Sequence, residues 1–104
     1  MPAVLEVLAE PHRRQILDAL RQGEQPVGVL VDVLGASQPA VSKHLRVLRE
    51  AGLVDVRPEG QRRLYRLRPE PLLELDAWLE PYRQMWRTSL DRLEEHLTPG
   101  EPDA

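Results

Sequence analysis

The segment GASQPAVSKHLRVLREAGL (35–53) contains a helix stop, a helix start and a second helix stop. Gly35 favours the left-handed conformation in which helices end, and Ser37 is a candidate N-cap for the next helix. Pro39 falls in the first turn of that helix, where its missing N–H loses no hydrogen bond, and Gly52 ends it. Because the residues before Gly35 also follow a helical pattern, the segment predicts two helices joined by a tight link, a helix-turn-helix.

The predicted helix over residues 38–50 has two different faces. Val41, Leu45 and Leu48 share one narrow sector of the helical wheel, which predicts the face that packs on the domain. The opposite face is small near its N-terminus and basic further along, as expected of a helix that enters a DNA major groove and meets phosphates. The candidate DNA-contacting residues are Ser37, Gln38, Pro39, Ala40, Ser42, Lys43, His44 and Arg46.

Some of these residues also have a plainer interpretation. Ser37 is a cap first and a DNA contact only in addition. His44 lies at the border of the apolar face, so it is equally well interpreted as a half-buried histidine at the edge of the core. Lys43 and Arg46 could be solvated charges.

After Gly52 the pattern changes to a period of two, which is typical of strands. Residues 54–57 and 62–67 alternate on either side of a turn over 58–61, and together they predict a β-hairpin. Such a hairpin after a helix-turn-helix forms a wing. The candidate DNA contacts of this wing are Arg57, Arg62, Arg63 and Tyr65. The arginines are expected to contact phosphates or a minor groove, and the tyrosine is expected mainly to brace the wing.

Four further helices complete the predicted fold. Two of them precede the helix-turn-helix and end near Glu10 and Gly23. The third is the first helix of the helix-turn-helix and ends near Gly35. The fourth runs from Leu72 to Leu97, where Pro81 is expected to kink or split it. The predicted fold class is therefore mostly α with a small β-hairpin, a winged helix-turn-helix of order α-α-α-α-β-β-α. It occupies one domain over residues 1–97, and residues 98–104 are expected to form a flexible tail.

The net charge of −3 conceals a separation of charge along the chain. Residues 37–68 carry eight positive and three negative side chains, a net charge of +5, whereas the rest carries six positive and fourteen negative ones, a net charge of −8. The local field is what a phosphate backbone meets, so double-stranded DNA is the expected partner. Chance separation of charge is the alternative.

Composition excludes several other classes of function. Cysteine is absent, which excludes disulfides, thiolate metal sites and thiol redox chemistry. No paired carboxylates, glycine-rich phosphate loop or metal triad suggests an enzyme. No signal-like or membrane-spanning segment is recognisable, so a cytoplasmic protein without membrane contact is expected.

Three segments together resemble the ArsR-type bacterial winged-helix repressors: SQPAVSKHLRVLREAGLV (37–54), GQRRLYRL (60–67) and LAEPHRRQILDAL (8–20). The resemblance covers nearly the whole chain. It implies a homodimeric, operator-binding transcriptional repressor whose first and last helices form the dimer interface. The interface residues that we expect are Val4, Leu5, Leu8, Leu75, Trp78, Leu79, Tyr82, Trp86, Leu90 and Leu93.

The chain departs from the metal-sensing members of that family. Their Cys-Val-Cys motif falls here on Pro26 and Gly28, and the last helix offers only His96 for a second family site. His12, where the family commonly has Thr, and His44 lie on other predicted helices than His96. We therefore predict no cofactor and no dedicated metal site.

The C-terminal segment LDAWLEPYRQMWRTSLDRLEEHL (75–97) resembles an aromatic-rich subgroup of the family. Its apolar residues recur at intervals of three and four, which favours a dimer interface. Two alternatives remain: Trp78, Tyr82 and Trp86 could line an effector pocket, or this helix could make the domain a protein-interaction module. The effector, a small molecule or a protein, is not identified by the sequence.

Overall fold

The computed structural model describes residues 3–97. Its five helices are α1 (Val4–Leu8), α2 (Pro11–Leu20), α3 (Val27–Leu34), α4 (Gln38–Glu50) and α5 (Leu72–Leu97), and its three strands are β1 (Gln25–Pro26), β2 (Val54–Glu59) and β3 (Arg62–Leu67). This order confirms the predicted winged helix-turn-helix: α3 and α4 are its two helices, and β2 and β3 form the wing. The predicted tail, 98–104, lies outside the described residues.

The sheet has one strand more than the sequence predicts. Its order is β1-β3-β2 and both pairings are antiparallel, with Gln25 opposite Tyr65 and Val56 opposite Tyr65 on the other side. The predicted hairpin is present as β2 and β3, and β1 adds a third strand that the sequence pattern does not indicate. A two-residue strand that contains proline is too short for a periodic signal, and only its pairing with β3 reveals it.

The core forms where α4 packs on the helices before it. Val41, Leu45 and Leu48 of α4 are at most 1% exposed, and Ile16 of α2 and Leu30 of α3 are fully buried beside them. These are the apolar faces that the helical spacing predicts. The buried face of α4 fixes which side of the helix meets solvent, and therefore which side is free to bind DNA.

Helix α5 is continuous through Pro81, so of the two expected effects of this proline, a kink or a split, the split does not occur. Proline removes one backbone hydrogen bond of a helix, and the remaining bonds on either side hold the helical path. Leu72 and Leu75 pack against the core, but between residues 81 and 96 every side chain except Arg83 is exposed. The second half of α5 therefore projects from the domain. None of the described helices has the length and apolar character to span a membrane.

Candidate nucleic-acid interface

The N-terminal end of α4 is capped, held in place and open to solvent. Ser37 Oγ accepts a hydrogen bond from the Ala40 N–H at 3.3 Å, which confirms its predicted role as the N-cap. The left-handed Gly35 (φ 64°) lets α3 end two residues before this cap. The predicted outer face is exposed at Gln38, Pro39, Ser42, Lys43 and Arg46, and Ala40 is half-buried.

A cleft of about 500 Å³ separates the tip of α4 from the wing. Its α4 side is formed by Gln38 and Ser42, and its wing side by Arg62, Arg63 and Tyr65. The start of α3 closes the end between them. The structure thus brings together polar residues of α4, the recognition helix of the helix-turn-helix, and cations of the wing that lie 20 to 25 positions away in sequence.

The wing arginines differ in whether their charge is paired with a carboxylate. The guanidinium of Arg57 donates two hydrogen bonds to the Glu24 carboxylate, at 2.9 and 2.8 Å, and these bonds lower the pKa of Glu24. Arg62 pairs with Glu59 at 3.1 Å. Within the described residues Arg63 has no ion pair. Arg57 was expected to contact DNA, but its charge is already matched by Glu24, which fits a role in positioning the wing.

The charged side chains at the base of the wing are also paired with one another. Asp55 accepts hydrogen bonds from Arg66 at 3.2 Å and Arg68 at 2.8 Å, and the two arginines lower the pKa of this carboxyl. Half of the eight cations between residues 37 and 68 are thus engaged in ion pairs. Those without one in the described part of the chain are Lys43, Arg46, Arg49 and Arg63.

His44 is turned away from the outer face of α4. Its ring stacks on His12 with the centroids 5.4 Å apart, and the side chain is half-buried. Burial lowers the pKa of His44. Glu10 caps α2 by accepting a hydrogen bond from the His12 backbone N–H at 2.6 Å, which lowers the pKa of Glu10. Of the two interpretations of His44, the structure matches the half-buried histidine. No pattern along the chain indicates that α2 and α4 bring His12 and His44 together.

The residues predicted for the dimer interface fall into three groups. Val4 is only 4% exposed and belongs to the domain's own core, which leaves little of its side chain for contact with a second chain. The half-buried residues are Leu5, Leu8, Leu75, Trp78 and Leu79. The exposed ones are Tyr82 at 45%, Trp86 and Leu90 at 62%, and Leu93 at 53%, and they share one face of α5. Trp78 and Tyr82 are in ring contact, with centroids 5.1 Å apart.

Comparison with known proteins gives a consistent family. Residues 10–56 match the model of the bacterial regulatory proteins of the arsR family. The chain is 44% identical over 87 residues to an HTH-type transcriptional regulator of Mycobacterium tuberculosis, covering 84% of this chain and 71% of that protein. It is 47% identical over 64 residues to the biofilm growth-associated repressor of Agrobacterium fabrum, covering 62% of this chain and 55% of the repressor.

Comparison with solved structures points to the same family. A possible transcriptional regulator for arsenical resistance matches with a TM-score of 0.67 and 47% identity, over 90% of this chain and 95% of that one. The homodimeric winged helix-turn-helix DNA-binding domain of a possible ArsR-family regulator from Mycobacterium bovis matches with a TM-score of 0.62 and 36% identity, over 78% of this chain and 75% of that one. These relatives are named as regulators or repressors. The chain belongs to the ArsR family of winged helix-turn-helix, DNA-binding transcriptional regulators.

Proposed function

We propose that two copies of this chain bind a palindromic DNA operator and repress the promoter that contains it. One observation carries the proposal: the cleft that joins the exposed tip of α4 to the unpaired cation of the wing. A helix in the major groove with a basic wing beside it contacts base edges and backbone at once. The protein would act in the cytoplasm, beside the bacterial chromosome.

The contacts are assigned by exposure and chemistry. Gln38, Ser42 and Lys43 hydrogen-bond base edges, because they lie on the exposed face of α4 near its N-terminus. Pro39 and Ala40 keep the helix tip slim and add no long side chain. Ser37 remains the cap.

The phosphate contacts come from cations at the edges of this surface. Arg46 and Arg63 are exposed and have no ion pair among the described residues, so their charges are available to phosphates. Arg62 can exchange Glu59 for a phosphate, since an exposed ion pair is weak. Tyr65 braces the wing, and Arg57 holds it to Glu24. His44 has no assigned DNA contact, because its ring packs on His12.

The dimer is proposed from the apolar face of α5. Tyr82, Trp86, Leu90 and Leu93 recur at intervals of three and four and are 45–62% exposed, with Met85 beside them at 64%. Such a contiguous apolar face on a projecting helix is typical of a protein interface. The homodimeric relative supports a second copy of this chain as the occupant. A two-fold axis would set the two α4 helices in successive major grooves, about 34 Å apart.

Repression follows from the position of such a dimer on a promoter, because it would exclude RNA polymerase. The repressor named among the relatives supports this direction of control. The contact between Trp78 and Tyr82 lies where the projecting half of α5 begins. An effector that binds there could act on the dimer.

The test is fluorescence anisotropy of the purified chain with a labelled duplex from its own upstream region and with a random duplex. We expect binding to both at low salt, a preference for the upstream duplex, and a steep loss of affinity as salt rises. Replacement Arg63→Gln should weaken both interactions, whereas Arg92→Gln on α5 serves as a matched control and should change neither. No binding to either duplex at low salt would contradict the proposal.

A further inference from the structure

The first turn of α2 and the middle of α4 place two imidazoles and a carboxylate in one cluster. Glu10, His12 and His44 each offer a ligand atom, and these atoms all lie within 4.8 Å of one another. We propose that this cluster is a transition-metal site, best suited to Zn²⁺, that joins the recognition helix to the N-terminus of α2. It is independent of the cleft between α4 and the wing.

The spacing of the two rings agrees with shared coordination. Zinc–nitrogen distances of about 2.0–2.1 Å at a tetrahedral angle place the centroids of two coordinating imidazoles roughly 5 Å apart. The observed separation of the His12 and His44 centroids is 5.4 Å. The same geometry requires ligand atoms about 3.3 Å apart, so the three side chains, whose ligand atoms lie within 4.8 Å of one another, would draw closer around an ion.

The hydrogen bonding of the two imidazoles leaves them available to a metal. Nδ1 of His12 and Nδ1 of His44 are both shielded from solvent and make no hydrogen bond. Buried polar atoms of this kind are normally satisfied. Glu10 Oε1 lies 3.2 Å from His12 Nδ1, so the carboxylate already faces this nitrogen. A cation between the rings and the carboxylate would satisfy all three groups.

The set of ligands defines the class of metal. Two imidazoles and one carboxylate, with no thiolate, suit Zn²⁺, Co²⁺ or Ni²⁺, and Zn²⁺ accepts three protein ligands with water as the fourth. The side chains of His12 and Glu10 are 44% and 34% exposed, so solvent can reach the fourth position. Arg13 and Lys43, the neighbouring cations, oppose a bound ion, whereas the Glu10 carboxylate favours it.

The location gives the site a structural consequence. His44 lies between Lys43, on the DNA-facing side of α4, and Leu45, which is 1% exposed in the core. Glu10 and His12 lie at the cap and in the first turn of α2. A bound ion would therefore fix α4 against α2 by coordination in addition to apolar packing, and binding to the folded state alone would raise its stability.

Calorimetric titration of the chelator-treated full chain with Zn²⁺ tests the site, with the melting temperature recorded in parallel. We expect one ion per chain, a higher melting temperature, and a tetrahedral visible spectrum when Co²⁺ replaces Zn²⁺. His12→Ala should weaken Zn²⁺ binding by at least about 100-fold, because it removes a ligand and not merely a residue that orients one. His96→Ala removes an exposed histidine from α5 and should bind like the unmodified chain.

His44→Gln should also abolish binding, and because that ring is half-buried, the folded state of this variant is checked by circular dichroism. If it does not fold, His12→Ala decides, since the His12 side chain is 44% exposed. The proposal is overturned if the unmodified chain binds no Zn²⁺, if His12→Ala binds it equally well, or if His96→Ala loses binding instead. None of these outcomes depends on DNA binding, so the site and the proposed function fail separately.

Discussion

Arg57 on β2 binds the carboxylate of Glu24 through two nitrogens, at 2.9 and 2.8 Å, although 33 residues separate the two side chains in sequence. Glu24 immediately precedes β1, whose Gln25 pairs with Tyr65 of the wing. The ion pair and the strand pairing therefore tie the wing to the segment between α2 and α3. These contacts help to hold the wing beside α4, and Arg63 has no ion pair within residues 3–97.

The salt dependence of DNA binding should distinguish the two wing arginines. Arg63→Gln is expected to weaken binding to every duplex and to reduce the slope of log K against log salt by about 2 in a dimer, since each phosphate contact contributes about 0.9. Arg57→Gln should change that slope much less, because Glu24 already neutralises Arg57. Anisotropy titrations at several salt concentrations measure both slopes. Equal losses for the two variants would contradict the assignment.

Sequence preference should depend on the tip of α4. Gln38→Ala is expected to cost about 1–3 kcal/mol of discrimination between operator and random duplex, since it removes a contact to a base edge. Affinity for random DNA should hardly change. The measurement is the ratio of the two dissociation constants, with Arg63→Gln as the comparison, because losing a phosphate contact lowers both affinities and preserves the ratio. A preserved ratio in Gln38→Ala would exclude this residue from direct recognition.

The projecting face of α5 should control assembly without controlling folding. Trp86→Glu places a charge on a side chain that is 62% exposed in the single chain, so the domain should still fold while the dimer dissociates. Sedimentation equilibrium should give half the mass of the unmodified protein. Gln84→Glu, on the opposite face of the same helix, is the matched control and should remain dimeric. An unchanged mass for Trp86→Glu would place the interface elsewhere.

Stability should respond to acid through Asp55. Arg66 and Arg68 lower the pKa of this carboxyl below its ordinary value of 3.8, so its ionised form stabilises the fold above that value. As the pH falls through the lowered pKa, the carboxyl is protonated and this contribution is lost. Asp55→Asn should therefore be less stable than the unmodified chain at pH 6, and the difference should be smaller at about pH 3, below the ordinary pKa of 3.8. Urea unfolding at both pH values measures it, and a difference independent of pH would rule out the ion pairs as its source.

The core should carry most of the stability. Leu45→Ala removes a side chain that is 1% exposed where α4 packs on α2 and α3, and it should lower the free energy of unfolding by about 2–5 kcal/mol. Urea unfolding followed by circular dichroism measures the loss. Leu73→Ala is the control, because Leu73 is 67% exposed and its truncation should change stability little. Comparable losses in both variants would show that α4 is not the centre of the core.

Periodicity predicts those features that depend on neighbours along the chain. The buried face of α4, the cap at Ser37 and the wing strands follow from spacing and turn residues, and they match the structure. The Glu24–Arg57 pair depends on contacts between distant segments that no local pattern encodes. The stacking of His12 on His44 is of the same kind, because it depends on how α2 crosses α4. The burial of Val4 likewise depends on where α1 docks, and short apolar spacing does not distinguish core from interface.

The central claim is that a dimer sets two α4 helices in successive major grooves of one operator. Hydroxyl-radical footprinting of the full chain on a fragment from its own upstream region tests this most directly. The account predicts two protected half-sites of related, inverted sequence, with centres about 10–10.5 base pairs apart on one face of the duplex. A single protected site, or protection with no two-fold relation, would contradict it.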